Sequence, residues 1–167
     1  ETWGVLIESS QQFFSYNVII PDAVWREVVI DGKGKRGAED VEKSDWIKIQ
    51  SVMNKALGKA LEKDLDSGEA EAITLAVEDN ADVLLLDDKS ARLIAANLGL
   101  NIVGIVGILI WAKKEGIIKQ LSNELENLRE KANDYNVSNL IALATLVDCI
   151  MLMVKVNRLE MLVIGLL

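Results

Sequence analysis

A short apolar run, VLLL at residues 83–86, ends directly at Asp87 and Asp88, and this feature constrains the fold most strongly. Four apolar residues without alternation suit a strand that is covered on both faces, as in a parallel sheet. Ligand sites of such sheets gather at the carboxyl ends of the strands, which is where the two carboxylates should lie. The run therefore predicts a buried parallel strand with acidic side chains at its functional end.

Predicted strands and helices alternate on both sides of this run. Further strands are expected over residues 18–21, 46–49 and 100–106, and helices over residues 23–29, 52–65, 69–77, 90–98 and 108–114. A helix over residues 5–14 precedes this pattern, and a polar helix over residues 123–134 follows it. Such alternation predicts an α/β fold with a parallel sheet wrapped by helices.

Length and composition narrow the class of protein. A chain of 167 residues forms one ordinary domain, so we expect residues 1–167 to fold as a single unit. One cysteine and no histidine exclude an internal disulfide, a zinc site of the Cys/His kind and any triad with an imidazole base. Chemistry in this chain must therefore use carboxylates.

The charge of the chain bears on its partners. A formal net charge of −8 disfavours binding nucleic acid by bulk electrostatics, because phosphate binding depends on Lys and Arg. It does not exclude a nuclease, since clustered carboxylates bind divalent cations and a bound metal reverses the local sign.

The tail of the sequence is unusually apolar. Residues 140–154 are apolar except for Thr145, Asp148 and Cys149. A membrane span needs about 20 mostly apolar residues, and charged residues interrupt this segment, so we expect a buried helix, or a strand and a helix, and no membrane segment. The start of the sequence shows no secretory signal, and we expect a cytoplasmic protein.

Four acidic residues are candidates for a metal site. Glu27 follows the first predicted strand on a helix, Glu69 opens a second helix, and Asp87 and Asp88 end the buried strand. Carboxylates that meet there could hold Mg²⁺ or Mn²⁺ and activate a water for phosphodiester cleavage. Each residue also has a structural alternative: a helix cap for the Asp pair, a helix-dipole partner for Glu69 and a solvated helix position for Glu27.

Five segments taken together resemble PIN-domain proteins, particularly the prokaryotic VapC-like ones. They are VIIPDAVWREVV (18–29), DWIKI (45–49), GEAEAI (68–73), VLLLDDKSAR (83–92) and GIVG (104–107), and the similarity covers residues 13–120. Their order and spacing make the resemblance specific, although no single segment would be.

The resemblance implies a three-layer α/β/α sandwich with Mg²⁺- or Mn²⁺-dependent endoribonuclease activity on RNA. It further implies the role of a toxin with a cognate antitoxin. Independently of the resemblance, we expect a homodimer. Matched by position, Glu27, Glu69 and Asp87 or Asp88 are the family's acidic residues, each a metal ligand or a neighbour of one.

One departure concerns the first metal ligand. PIN domains open with a strand that ends in Asp, and the start of this sequence supplies none, whereas LVDCIMLMVKVNRLEML at residues 146–162 resembles that strand, its acid and the following helix. Either the chain is circularly permuted and Asp148 completes the site, or residues 123–167 form a connector and an unrelated core or dimerisation helix, or the chain order differs from the natural one. We favour permutation.

Other features leave alternatives open. The basic glycine-rich loop at residues 32–36 could guide an RNA backbone or be a solvated loop, and Trp25, Trp46 and Trp111 could stack on bases, although their apolar context favours core packing. Against the nuclease stands a catalytically incomplete PIN-like scaffold that acts as an interaction or dimerisation module. A phosphotransfer receiver is a third class, for which the required Asp and Lys positions cannot both be found.

Overall fold

A computed structural model describes residues 18–35, 38–131 and 162–165 of the chain. The predicted helix over residues 5–14 and the apolar segment over residues 140–154, including Asp148, lie outside these ranges.

Five parallel strands form a single sheet in the order β2-β1-β5-β3-β4. In chain order the strands are β1 (Val18–Pro21), β2 (Ile47–Gln50), β3 (Val83–Leu86), β4 (Ile102–Val103) and β5 (Leu162–Gly165). The first three lie within a residue of their predicted positions. β4 is much shorter than the predicted strand over residues 100–106, because Gly104 is already the N-cap of the next helix.

Helices occupy most of the chain between the strands. They are α1 (Asp22–Trp25), which continues as a π-helical segment (Arg26–Asp31), then α2 (Ala38–Glu42), α3 (Lys55–Leu61), α4 (Ser67–Glu78), α5 (Lys89–Asn97), α6 (Ile105–Lys114) and α7 (Leu121–Lys131). α3 is shorter than predicted because Asn54 caps it, accepting a hydrogen bond from the Leu57 backbone at 3.1 Å. α2 and the π-helical geometry have no counterpart in the sequence predictions.

The strand side chains alternate between two apolar layers, as the period of two requires. Ile19, Leu84 and Leu86 face the layer that contains α3, α4 and α5. Val18, Ile20 and Leu85 face the layer that contains α6 and α7. Helices therefore cover both faces of the parallel sheet, and the predicted three-layer α/β/α architecture is confirmed.

The central strand comes from the far end of the sequence. β5 pairs with β1 on one side, where Leu162 lies opposite Val18, and with β3 on the other, where Gly165 lies opposite Leu86. The tail thus inserts a strand into the middle of the sheet. This strand was not predicted at residues 162–165, since the resemblance placed the strand and its acid near Asp148.

The three tryptophans considered for base stacking pack in the core. Trp25, Trp46 and Trp111 are partly buried against the core layer of α6 and α7, as their apolar context predicted. Within the described ranges, no helix has both the length and the apolar character needed to cross a bilayer.

Candidate metal centre

Because all strands are parallel, their carboxyl ends share one edge of the sheet, and the candidate acids lie there. Asp22 follows β1, Ser51 follows β2, Asp87 follows β3 and Gly104 follows β4. The Ser51 hydroxyl donates to the Asp22 carboxylate and so joins the ends of two neighbouring strands. The sequence arguments placed the acids at this edge, which the topology now assembles from distant parts of the chain.

Glu69 is the most buried of these acids. It lies in the first turn of α4 and its side chain is only 6% exposed. Burial raises its pKa, the negative charges of Asp88, Asp66 and Glu27 act in the same direction, and a hydrogen bond from the Asp66 backbone opposes them. Glu69 is therefore a buried carboxylate among like charges, a state that a cation or a proton would relieve.

Glu27 reaches the same place from the other side. It lies on the π-helical segment, and an ideal Cβ at Gly68 would come within 3.3 Å of its Oε2, so the carboxylate rests against the first turn of α4. Burial and the charges of Asp66 and Asp31 raise the pKa of Glu27, while Lys35 lowers it. π-helical segments occur frequently at functional sites, and here one carries a candidate ligand.

Asp87 and Asp88 both line the acidic edge but make different contacts. Asp88 is the N-cap of α5: its Oδ1 accepts a hydrogen bond from the Ala91 backbone at 2.8 Å, while its charge acts on Glu69. Asp87 Oδ1 faces Gly104 at the end of β4. The structural alternative for the pair thus applies to Asp88, whose Oδ2 is not used in the capping bond, and not to Asp87.

Two further acids have roles at this edge that the sequence did not reveal. The Glu71 carboxylate accepts a hydrogen bond from the Ala23 backbone at 2.8 Å and so anchors the start of α1 to α4. Asp66, the N-cap of α4, adds its charge to both Glu27 and Glu69. The signal that could have drawn attention to Asp66 is its position just before a predicted helix, two residues from Gly68.

An open cleft of about 680 Å³ runs along this edge. Its lining is dominated by carboxylates, with two lysines at the rim: Glu62, Asp64, Asp66, Glu69, Asp87, Asp88, Lys63 and Lys89. Such a cleft attracts divalent cations and repels a polyanion that arrives without them.

The donor chemistry suits Mg²⁺ or Mn²⁺, which prefer carboxylate oxygens. Across the described ranges, however, no three acids lie close enough together to hold one ion. β5 itself carries no acid, and the residue at its carboxyl end, beside Leu86 and hence next to Asp87, is Gly165. The carboxylates are the type of ligand that these ions prefer, but an acid is missing at the centre of the sheet.

The raised pKa of Glu69 gives a stability prediction for the metal-free protein. A carboxyl whose pKa is higher in the folded than in the unfolded chain contributes stability below its unfolded pKa and loses it as the pH rises through its folded pKa. Glu69→Gln should therefore raise the Tm at pH 7 in EDTA, and should reduce the loss of Tm between pH 5 and pH 7.

Thermal unfolding followed by circular dichroism at several pH values measures this effect. The matched control is Glu71→Gln, because the Glu71 carboxylate accepts the Ala23 hydrogen bond and its loss should not stabilise the fold. A Glu69→Gln protein with the same Tm profile as the wild type would contradict the prediction.

Comparison with known proteins adds one finding. A protein-family model described as a PIN domain matches residues 6–146, well over half of the chain. Comparisons with curated proteins and with solved structures return no match. The matched range contains Glu27, Glu69, Asp87 and Asp88 and ends before Asp148 and β5.

Proposed function

Because the chain belongs to the PIN-domain family, a family with a nuclease-type fold, we propose that it is a metal-dependent endoribonuclease that hydrolyses RNA phosphodiester bonds. The observation that supports this most is the environment of Glu69. A carboxylate buried beside Asp88, Asp66 and Glu27 is costly for the fold unless a cation shares the site.

Glu69, Asp87, Asp88 and Glu27 would hold the metal from three different elements of the fold. Asp148, which lies outside the described residues, is proposed as the additional acid that the centre of the sheet lacks. A bound Mg²⁺ or Mn²⁺ would supply an activated water and would stabilise the charge that develops on the phosphate.

The chain's own residues have separable tasks in this proposal. Glu69 is held by its burial in the first turn of α4, and Glu27 by its contact with Gly68 on the same turn. The hydrogen bond from Ala23 to Glu71 keeps α1 and α4 together, so the two acids keep their relative positions. The orientation of the ligands is thus a consequence of helix packing and does not need a histidine or a cysteine.

Because the sequence resembles the VapC-like proteins of this family, we further propose that the protein is a toxin whose activity an antitoxin inhibits. The open acidic cleft is the surface that such a partner would have to cover. We also propose that the protein is a homodimer and that it is cytoplasmic.

A second candidate function is a catalytically incomplete scaffold that binds a partner protein. The observation in its favour is that no three acids converge within the described ranges and that β5 carries none. The two candidates differ in metal affinity, which the scaffold does not need.

Calorimetric titration with Mn²⁺, together with RNA cleavage in Mn²⁺ and in EDTA, separates the candidates. The nuclease predicts saturable binding that weakens by about 10- to 100-fold in Glu69→Gln, and cleavage that EDTA abolishes. The control variant is Glu115→Gln, which removes the same charge from an exposed side chain at the far end of α6. A wild-type protein without measurable Mn²⁺ affinity would leave the scaffold as the better account.

A further inference from the structure

Arg92 lies beside Asp87 at the carboxyl end of β3. It belongs to the first turns of α5, and its Nη1 donates to the carbonyl oxygen of Leu86, the last residue of the strand, at 3.5 Å. The guanidinium is thus directed back toward the edge of the sheet where the acids gather. Arg92 has no role in the predictions made from the sequence.

Gly104 makes room for this arrangement. An ideal Cβ at position 104 would lie 2.5 Å from Arg92 Nη1 and 3.0 Å from Asp87 Oδ1, and real Cβ atoms do not approach other atoms so closely. Any side chain at this position would displace the guanidinium, the carboxylate or both. The guanidinium and the carboxylate therefore occupy the space that a side chain at position 104 would need.

Arg92 and Asp87 do not form an ion pair with each other within the described ranges, where Lys43 and Glu39 form an exposed one at 2.9 Å. A guanidinium has five N–H donors, and the Leu86 carbonyl uses a single one. The remaining donors can form the two parallel hydrogen bonds with which arginine binds a phosphate.

An RNA substrate needs such a cation at this edge. The cleft is lined mainly by carboxylates and the whole chain has a formal charge of −8, so nothing in the bulk electrostatics attracts a polyanion. Lys63 and Lys89 line the cleft, but they are exposed side chains on flexible stems. Arg92 differs because it is half-buried beside Asp87, which lines the cleft, and its hydrogen bond to the end of β3 directs it there.

We propose that Arg92 binds a backbone phosphate of the RNA substrate next to Asp87, from a position that its guanidinium can take because residue 104 is glycine. This inference rests on the proposed ribonuclease function and names the residue that brings the substrate backbone to the acidic edge. It predicts a direct contact with the phosphate, beyond the hydrogen bond to Leu86 that a purely structural arginine would make.

The test is binding of a short fluorescein-labelled single-stranded RNA in EDTA, followed by fluorescence anisotropy at several salt concentrations. Arg92→Gln should raise the Kd about tenfold, since hydrogen bonds to charged groups are the stronger ones. It should also reduce the slope of log affinity against log salt by about 0.7, the contribution of one phosphate contact to a single strand. Arg92→Lys should fall between the two proteins.

The matched control is Lys114→Gln, which removes the same charge at the other end of α6, roughly 15 Å along the helix from Gly104. It should leave both the Kd and the slope near the wild-type values. Equal losses in Arg92→Gln and Lys114→Gln would show an effect of net charge alone and would overturn the inference.

Gly104→Ala provides a second route, because it keeps every charge and fills the space. It should weaken RNA binding as much as Arg92→Gln, whereas Gly58→Ala, whose Cβ would lie 3.7 Å from Thr74 Oγ1, should not. If the wild type cleaves RNA with Mn²⁺ while Arg92→Gln binds RNA with unchanged affinity and slope, this inference fails and the proposed function stands. A wild type that neither binds nor cleaves RNA overturns both.

Discussion

Deletion of residues 162–167 should unfold the domain, because these residues include the central strand of the sheet. β5 pairs with β1 on one side and with β3 on the other, and β1 and β3 do not pair with each other. Without β5, two buried strands would lose their hydrogen-bond partners on one side, and the two halves of the sheet would separate. Folded domains are stable by only about 5–15 kcal/mol, so the loss of a central strand exceeds the margin.

Denaturant unfolding of the truncated chain, compared with the full chain, measures this effect as the loss of a cooperative transition. A point variant, Val163→Pro, removes one backbone N–H from the centre of the sheet and should cost roughly 3 kcal/mol or more, as proline does inside regular structure. Val163→Ile keeps the N–H and adds one methylene, so it should cost only about 1 kcal/mol and should retain the cooperative transition. A truncated chain with the wild-type transition would mean that the sheet does not need β5.

Asp87→Asn should lower Mn²⁺-dependent RNA cleavage by at least about 100-fold, since even residues that only support a metal ligand change activity by 10- to 100-fold when they are replaced. The substitution keeps the shape of the side chain and removes its charge. Asp87 takes part in no side-chain hydrogen bond within the described ranges, and its Oδ1 faces Gly104. Its replacement should therefore leave the stability of the fold almost unchanged.

The measurement is the initial cleavage rate of a labelled RNA under saturating Mn²⁺, with Tm recorded in parallel. Asp45→Asn is the control, because Asp45 is exposed in the turn before β2, at the amino end of the sheet. Expression in a bacterial host extends the test to the toxin role: the wild type should arrest growth and Asp87→Asn should not. Equal cleavage rates for the wild type and Asp87→Asn would remove Asp87 from the site.

Local sequence was sufficient for the elements that carry the acids. The VLLL run predicted β3 with its exact ends, and the apolar stretch before Pro21 predicted β1, because an uninterrupted buried strand leaves a signal within four residues. α3 begins later and β4 ends earlier than predicted, because Asn54 and Gly104 are helix N-caps and a single capping residue decides where a helix begins. The resemblance to the PIN family likewise depended on short segments, and the family model confirms it.

The arrangement of the acids required the tertiary structure. Asp87 and Asp88 are adjacent in sequence, yet Asp87 faces Gly104, whereas Asp88 caps α5 and acts on Glu69, because the helix begins at the second of the two residues. The burial of Glu69 depends equally on the helices and strands around α4, which no local pattern reveals.

The sequence by itself determined the parallel α/β class, the positions of its main strands and helices and the edge of the sheet at which the carboxylates gather. The tertiary structure decided that the tail supplies the central strand. It also decided that Glu27, on a π-helical segment, rests against Gly68, and that Arg92 and Asp87 share the space left by Gly104. The physical reason is the range of the interactions. Strand and helix signals lie within a few neighbouring residues, whereas strand order and side-chain contacts depend on which distant surfaces pack together.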